Sequence, residues 1–124
     1  MICADSNCWI AYLAGEDGQD VGILDHAVIH GAVVMAPVVL SELLGDPALK
    51  PQDEADLCSI RLMDVHPGYW ERAGKLRASL LARRLKPRLA DTLIAQICID
   101  NDIPLITRDK DFRHFARHGG LRLL

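Results

Sequence analysis

The sequence predicts an α/β protein, one domain over residues 1–124 with a mainly parallel central sheet flanked by helices. Two observations lead to this class. Short apolar runs, partly β-branched and typical of buried parallel strands, alternate with longer segments whose apolar residues recur at helical spacing. Of the 124 residues, 50% are hydrophobic and 25% are charged, which is the composition of an ordinary globular domain with its own core.

Glycine and proline mark most element boundaries in the first half of the chain. Gly15 and Gly31 each end a helical segment, and Pro37 fits the first turn of a helix, where its missing N–H costs nothing. In order, we predict a strand over 1–5, helices over 7–14 and 20–30, a strand over 33–36, helices over 37–44 and 52–59, and a strand over 61–65.

The second half contains the clearest helix, over 69–85, with apolar residues on one face and basic residues on the other. Pro87 ends it, and a second amphipathic helix follows over 89–99. A strand over 103–106, a short helix over 111–117 and a last strand over 121–124 complete the alternation.

Charge is distributed unevenly along the chain. Residues 1–64 hold eleven acidic and two basic side chains, whereas residues 65–124 hold six acidic and twelve basic ones. Seven of these bases fall between Arg72 and Arg88, which indicates either a solvated helix face or a surface that meets a polyanion. The candidates for phosphate contacts are Arg84, Lys86 and Arg88.

The cysteines and the apolar runs bear on location. The four cysteines form no C-x-x-C pair, so we expect reduced, mostly buried thiols in a cytoplasmic protein. No apolar run is long enough for a membrane span, and Asp5 interrupts the N-terminal apolar residues, so neither a membrane anchor nor a secretory signal is expected.

Four isolated carboxylates follow or end apolar segments: Asp5, Glu42, Asp91 and Asp109. Acids at the rim of a core are costly unless they are paired or bind a cation. Asp5 and Asp109 follow strands, whose carboxyl ends meet at one edge of a parallel sheet, and we expect the other two near helix N-termini at that edge. The pattern therefore predicts a shared site for a hard divalent cation.

Each acid also has an ordinary explanation. Asp5 could cap the next helix, Glu42 could be an exposed helix residue, and Asp91 could favour a helix N-terminus electrostatically. Asp109 could belong to a turn, and Asp111 competes with it for the fourth acidic position. A metal site accounts for all four at once, and such a site supports hydrolysis of phosphodiesters. Polar neighbours that could orient ligands or waters are Ser6, Asn7 and Thr107.

The order of these motifs carries a family resemblance. Over essentially the whole chain, four motifs in this order resemble the PIN-domain nucleases, and more narrowly the VapC toxins of bacterial toxin–antitoxin systems. They are Asp5-Ser6-Asn7 after a first strand, Ser41-Glu42-Leu43, Ala90-Asp91-Thr92-Leu93-Ile94-Ala95 and Ile106-Thr107-Arg108-Asp109. The resemblance implies a PIN-like fold and an endoribonuclease whose four acids bind Mg²⁺, with Mn²⁺ able to substitute. Asn7 and Thr107 match polar accessory positions, and Ser6 stands where the family commonly has threonine.

The resemblance also implies partners, namely an RNA substrate, an antitoxin protein whose tail crosses an apolar groove, and a second copy of the chain. Two alternatives stay open at this point. One is a catalytically silent binding module with the same fold. The other is a metal-dependent phosphatase, which would want a paired D-x-D after the first strand, where this chain has Asn7.

Overall fold

Three short parallel strands and seven α-helices make up the computed structural model, which describes all 124 residues. The strands are β1 (Ile2–Ala4), β2 (Val33–Val34) and β3 (Leu105–Ile106). The helices are α1 (Ser6–Leu13), α2 (Gln19–Ile29), α3 (Pro37–Leu44), α4 (Pro51–Cys58), α5 (Tyr69–Ala82), α6 (Leu89–Asp100) and α7 (Arg113–Gly119), and a 3₁₀ turn over Lys110–Phe112 precedes the last. The predicted α/β class is confirmed.

The sheet has the order β2-β1-β3, with the N-terminal strand in the centre. Cys3 pairs with Val34 on one side and with Leu105 on the other, both in parallel register. Apolar residues occupy both faces because helices cover the sheet, and β2 and β3 are entirely buried. All three strands point the same way, so β1 and β3 deliver Asp5 and Thr107 to the same edge.

The strands predicted over 61–65 and 121–124 are corrected to single bridges. Leu62 pairs in parallel only with Met35, and Leu123 only with Leu105, so each extends the sheet edge by one residue. Leu62 is exposed and its flanking residues alternate poorly, which leaves these segments little apolar surface to bury as strands.

The predicted helices are all present, with shifts of a few residues at their ends. The largest shift is at α5, which ends at Ala82 instead of residue 85 because Arg84 adopts a left-handed backbone with φ of 63°. Twenty-five buried residues form one hydrophobic cluster between the sheet and its helices, including Trp9, Phe112 and Ile94. In this structure none of the helices combines the length and the apolar character that crossing a bilayer requires.

Candidate active site

Asp5 is the buried centre of the acidic edge, with only 5% of its surface exposed. It follows β1 directly and is the N-cap of α1, so its ordinary explanation as a capping residue also holds. The backbone N–H of Ser6 donates to its Oδ1 at 2.8 Å, and the Thr107 hydroxyl donates to its Oδ2 at 3.0 Å. Both carboxylate oxygens are thus oriented by hydrogen bonds from residues that lie just beyond β1 and β3.

The segment after β3 places the second acid. The Thr107 hydroxyl, which donates to Asp5, also accepts from the backbone N–H of Asp109 at 3.0 Å. Asp109 in turn accepts the backbone N–H of Asp111 at 2.9 Å and caps the 3₁₀ turn. Asp109 therefore faces Asp5 through Thr107, whereas Asp111 lies one step further out and is exposed. Asn7 accepts the backbone N–H of Arg108 at 3.3 Å, which ties α1 to this segment.

The two helical acids reach the same edge from different positions. Asp91 is the third residue of α6, close to the N-terminus as predicted. Glu42 is the sixth of eight residues in α3, so the expectation of a helix N-terminus is wrong for this residue. The Asp5 and Asp91 carboxylates nevertheless both raise its pKa, which indicates that Glu42 lies within their electrostatic reach.

The pKa values of three acids reflect crowding of negative charge. Burial raises the pKa of Asp5, and the Asp109 carboxylate adds to the rise, while the hydrogen bonds from Ser6 and Thr107 oppose it. Burial raises the pKa of Glu42, and Asp5 and Asp91 add to that effect. Burial also raises the pKa of Asp91, opposed by Arg88 and reinforced by Asp5 and Asp109. The structure thus brings all four predicted acids into one electrostatic neighbourhood.

Arg88 lies inside this neighbourhood. Its Nε is 3.4 Å from Asp91 Oδ2, and one of its terminal nitrogens is 3.6 Å from Asp109 Oδ2. The other two candidates for phosphate contacts, Arg84 and Lys86, are exposed and form no ion pair. The predicted basic trio therefore divides into two free cations and one that contacts the acids.

A pocket of about 240 Å³ adjoins Asp91 between the α5–α6 loop and α7. Its polar lining comes from Lys86, Arg88, Asp111 and His114 in addition to Asp91, and its apolar lining comes from Leu80, Leu85 and Phe115. The acidic edge is thus open to a ligand on the side where the basic residues stand.

Metal-binding groups at this edge are all carboxylate oxygens. No three His, Cys, Asp or Glu side chains are grouped closely enough to enclose a metal ion by themselves. A cation here would accordingly be held by one or two carboxylates directly, with the others acting through water, which is the usual manner of Mg²⁺.

Arg108 and Asp20 support the site, and sequence reasoning did not find them. The Arg108 guanidinium donates to both carboxylate oxygens of Asp20, at 2.6 and 3.2 Å, and lies 3.4 Å from Glu16. The hydrogen bonds from Arg108 lower the pKa of Asp20 to about 2. This pairing fastens the segment that carries Thr107 and Asp109 to the start of α2. Its only signal in the sequence was the position of Arg108 between two candidate residues.

Comparison with known proteins gives one family and a consistent fold. A family model described as "PIN domain" matches residues 2–118. The chain resembles the structure of VapBC2 from Rickettsia felis bound to promoter DNA, with a TM-score of 0.76, 21% identity and coverage of 100% of this chain and 98% of that one. It also resembles VapBC-5 from Mycobacterium tuberculosis (TM-score 0.66, 20% identity, 99% and 96% covered) and FitAcB from Neisseria gonorrhoeae (0.70, 18%, 100% and 96%). A search of curated proteins gives no match.

Proposed function

The chain belongs to the PIN domain family, and from that premise we propose that it is a Mg²⁺-dependent endoribonuclease and the toxin of a toxin–antitoxin pair. The observation that carries this proposal is the buried Asp5 carboxylate, which accepts two hydrogen bonds but forms no ion pair and lies in the field of Asp109. Burial still raises the pKa of Asp5 against those hydrogen bonds, so they offset only part of the cost of the charge, and a bound cation would supply the missing counter-charge.

A divalent cation fits the donors at this edge. All four side chains offer hard oxygen atoms, and the pKa of each of Asp5, Glu42 and Asp91 is raised by at least one other acid of the set. Positive charge placed among them would relieve that repulsion. We propose that Asp5 and Asp91 hold the ion, with Glu42 and Asp109 contacting its waters and Mn²⁺ able to substitute for Mg²⁺.

The protein side chains orient the carboxylates and contact the RNA. When bound, the cation supplies an activated water and polarises a phosphate oxygen. Ser6 and Thr107 keep the Asp5 oxygens aimed at the open edge through their 2.8 and 3.0 Å hydrogen bonds. Asn7 holds the Arg108 backbone and thereby the loop that presents Asp109. Arg84 and Lys86 have no ionic partner in the protein, so they are available to RNA phosphates.

The test is cleavage of RNA by the purified protein with Mg²⁺, with and without a chelator. Asp5→Asn keeps the volume of the side chain, and its amide oxygen can still accept the N–H of Ser6 while its amide NH2 faces the Thr107 oxygen as a donor. Circular dichroism should therefore be unchanged while cleavage is lost. Sequencing of the cleaved RNA ends identifies the preferred site. An active Asp5→Asn variant would remove the proposed role of this residue.

The phosphatase alternative lacks its second carboxylate in the structure as well. That chemistry needs an acid two residues after the nucleophilic aspartate, where Asn7 instead accepts the backbone N–H of Arg108 at 3.3 Å. A catalytically silent module would leave the raised pKa values of Asp5, Glu42 and Asp91 without a use. The nuclease is therefore the function that we put forward.

For the antitoxin we propose the groove between α1, α2 and α4, which has a volume of about 760 Å³. Trp9 lines this groove, and its buried indole N–H has no hydrogen-bond acceptor. Three acids and one base, Arg61, surround the apolar floor; the acids are Asp25, Asp53 and Asp56. An extended segment with apolar and basic side chains would match this floor and its net negative charge, and the structural neighbours from Rickettsia felis and Mycobacterium tuberculosis are VapBC toxin–antitoxin proteins.

A peptide with alternating leucine and arginine should then bind and inhibit cleavage, and one with glutamate in place of arginine should not. Asp53→Lys with Asp56→Lys should weaken the first peptide and leave the cleavage rate unchanged. Because a basic side chain can compete with the cation for the acids, more Mg²⁺ should partly restore cleavage. Inhibition that is equal for both peptides would count against an acidic groove.

For the homodimer we propose the apolar surface where α3, α5 and α6 meet. The Trp70 side chain is 63% exposed and Val65 is 48% exposed, beside a small apolar pocket that also includes Val38. A second copy of the chain is the occupant that we propose, since large exposed aromatic residues are frequent at interfaces. Light scattering should give twice the chain mass, and Trp70→Lys should reduce it to one chain mass.

The compartment that we propose is the cytoplasm. All four cysteines are free in the structure, three of them buried and Cys58 exposed. Free thiols persist in a reducing compartment. Cell fractionation with an antibody to the protein would check this location.

A further inference from the structure

Arg88 combines two properties that the proposed nuclease function does not explain. It reaches Asp91 at 3.4 Å and Asp109 at 3.6 Å, which places a positive charge among the acids proposed to hold a cation. Its side chain is nevertheless 76% exposed. Both contacts are longer than an optimal charge-assisted hydrogen bond of about 2.7–2.9 Å, so each is weak and easily broken.

The backbone of Arg88 is firmly held while its side chain is not. Arg88 is the N-cap of α6, and its carbonyl accepts from the backbone N–H of Thr92 at 3.0 Å and from the Thr92 hydroxyl at 2.9 Å. Thr92 is completely buried, which anchors this turn. The guanidinium can therefore turn about a fixed backbone without disturbing the helix.

A pocket beside Arg88 leaves room for its exposed side chain to change orientation. Arg88 lines this pocket together with Lys86 and His114, whereas Asp109 is not part of the lining. A guanidinium turned further into the pocket would give up its contact with Asp109 and lie nearer to the other two basic side chains. Its electrostatic effect reaches further than its contacts, since it also lowers the pKa of Asp5 and Glu42 against the larger effect of burial.

We propose that Arg88 is a built-in counter-cation: its guanidinium occupies the negative field of Asp91 and Asp109, and a divalent cation must displace it to bind. Arg88 thus sets how much free cation the site needs before it fills, and its release turns it toward the pocket that adjoins Asp91. This inference rests on the proposed cation site and deepens it. Arg88 is a positioning residue in this role.

Titration calorimetry with MnCl₂, in the absence of RNA, tests the inference. Removal of the competing charge in Arg88→Gln should tighten Mn²⁺ binding about threefold to tenfold, the range expected for loss of two weak ion pairs. Arg84→Gln is the matched control, because it removes the same charge from an exposed residue without an ion pair, and it should change the affinity less than about twofold. Arg88→Lys keeps the charge and should bind Mn²⁺ nearly as the native chain does.

The outcomes separate this inference from the proposed function. If the native chain binds Mn²⁺, Asp91→Asn abolishes binding and Arg88→Gln binds no tighter than Arg84→Gln, the cation site stands and the counter-cation is refuted. If Arg88→Lys tightens binding as much as Arg88→Gln, charge competition is refuted. If the native chain and Arg88→Gln both fail to bind, the cation site and the inference fall together.

Discussion

Each end of α6 carries an aspartate, and the surroundings shift the pKa values of the two carboxyl groups in opposite directions. At the C-terminal end, Asp100 accepts two hydrogen bonds from Arg72, at 3.0 and 2.7 Å, and one from Gln96 at 2.8 Å. Burial alone would raise the pKa of Asp100, but these donors outweigh it and the pKa is lowered. At the N-terminal end, burial and two acids raise the pKa of Asp91, and only the long contact to Arg88 opposes them.

The difference distinguishes a charge that stabilises the fold from a charge that is available to an external cation. Asp100 is neutralised by partners that fasten α6 to α5, so its charge contributes to the stability of the fold. Asp91 is left in a field of like charge, which costs stability unless an external cation is present. One helix thus shows that this sequence can pair a carboxylate at short range, as for Asp100 with Arg72, and that at the acidic edge it leaves Asp91 with a single long contact to Arg88.

The largest expected effect comes from Asp91→Asn. Loss of a proposed ligand should lower RNA cleavage at least about 100-fold, because even groups that only support metal ligands are worth 10–100-fold. In chelator, however, the free energy of unfolding should rise by about 0.5–1 kcal/mol since like-charge repulsion is relieved. Cleavage assays and urea denaturation measure the two quantities. Full activity in this variant would refute a functional role for Asp91 that Asp100 lacks.

The matched change at the other end, Asp100→Asn, should do the reverse. It weakens the hydrogen bonds from Arg72 and Gln96, so the free energy of unfolding should fall by about 1 kcal/mol, while cleavage at saturating Mg²⁺ stays within about twofold. Urea denaturation at equal ionic strength compares both variants with the native chain. A loss of cleavage as large as that of Asp91→Asn would mean that the two ends are not functionally distinct.

The pH dependence of the free energy of unfolding should also have opposite signs for the acids of the candidate site and for Asp100. Asp5, Glu42 and Asp91 have pKa values above their ordinary 3.8, 4.5 and 3.8, so the folded protein binds their protons more tightly, and their contribution is lost as pH rises through the folded values. The pKa of Asp100 is below 3.8, so its contribution is present above that value and is lost as pH falls.

As pH falls from about 7 to about 4, the stability gain of Asp91→Asn should therefore shrink toward zero, whereas the loss of stability in Asp100→Asn should persist and shrink only below about pH 4. Urea denaturation in chelator at a series of pH values checks these separate windows. Differences of the same sign for both variants would contradict this prediction.

The smallest expected effect concerns the loop that leads into the N-terminal end of α6. Arg84→Gln with Lys86→Gln should weaken RNA binding in chelator and reduce the slope of log affinity against log salt by about 1.4, the value for two phosphate contacts on a single strand. Lys50→Gln with Arg61→Gln removes the same charge from the other half of the chain and should leave the slope unchanged. Equal slopes for both pairs would assign Arg84 and Lys86 to a solvated face.

Most of the fold could be predicted from the sequence because helical spacing is a local property. The helix over 89–99 rests on such spacing and corresponds to α6 (Leu89–Asp100). The segments over 61–65 and 121–124 were predicted as strands but keep only one bridge each, since a single partner residue cannot be inferred from a short apolar run.

The candidate site was predictable only in part, for a related reason. Asp5, Asp91 and Asp109 follow from their positions beside buried elements, and the structure gathers them with Glu42 at one edge. The ion pairs of Arg108 with Asp20 across 88 residues, and of Arg88 with Asp109, depend on side-chain geometry in the folded chain. No local pattern encodes such contacts. The sequence therefore supports the same prediction for Arg84, Lys86 and Arg88, although in the structure only Arg88 pairs with the acids.

The hydrogen bond from Thr107 to Asp5 joins residues 102 positions apart, and β1 acquires its β3 neighbour only after Leu105 and Ile106 have been synthesised. A ribosome delivers residues in order at about 5–20 per second, so the acidic edge cannot assemble on a nascent chain before Thr107 has left the exit tunnel. For the proposed ribonuclease, this order would keep the site incomplete while the first hundred residues are being translated. A product of translation that stops before Thr107 should accordingly lack cleavage activity.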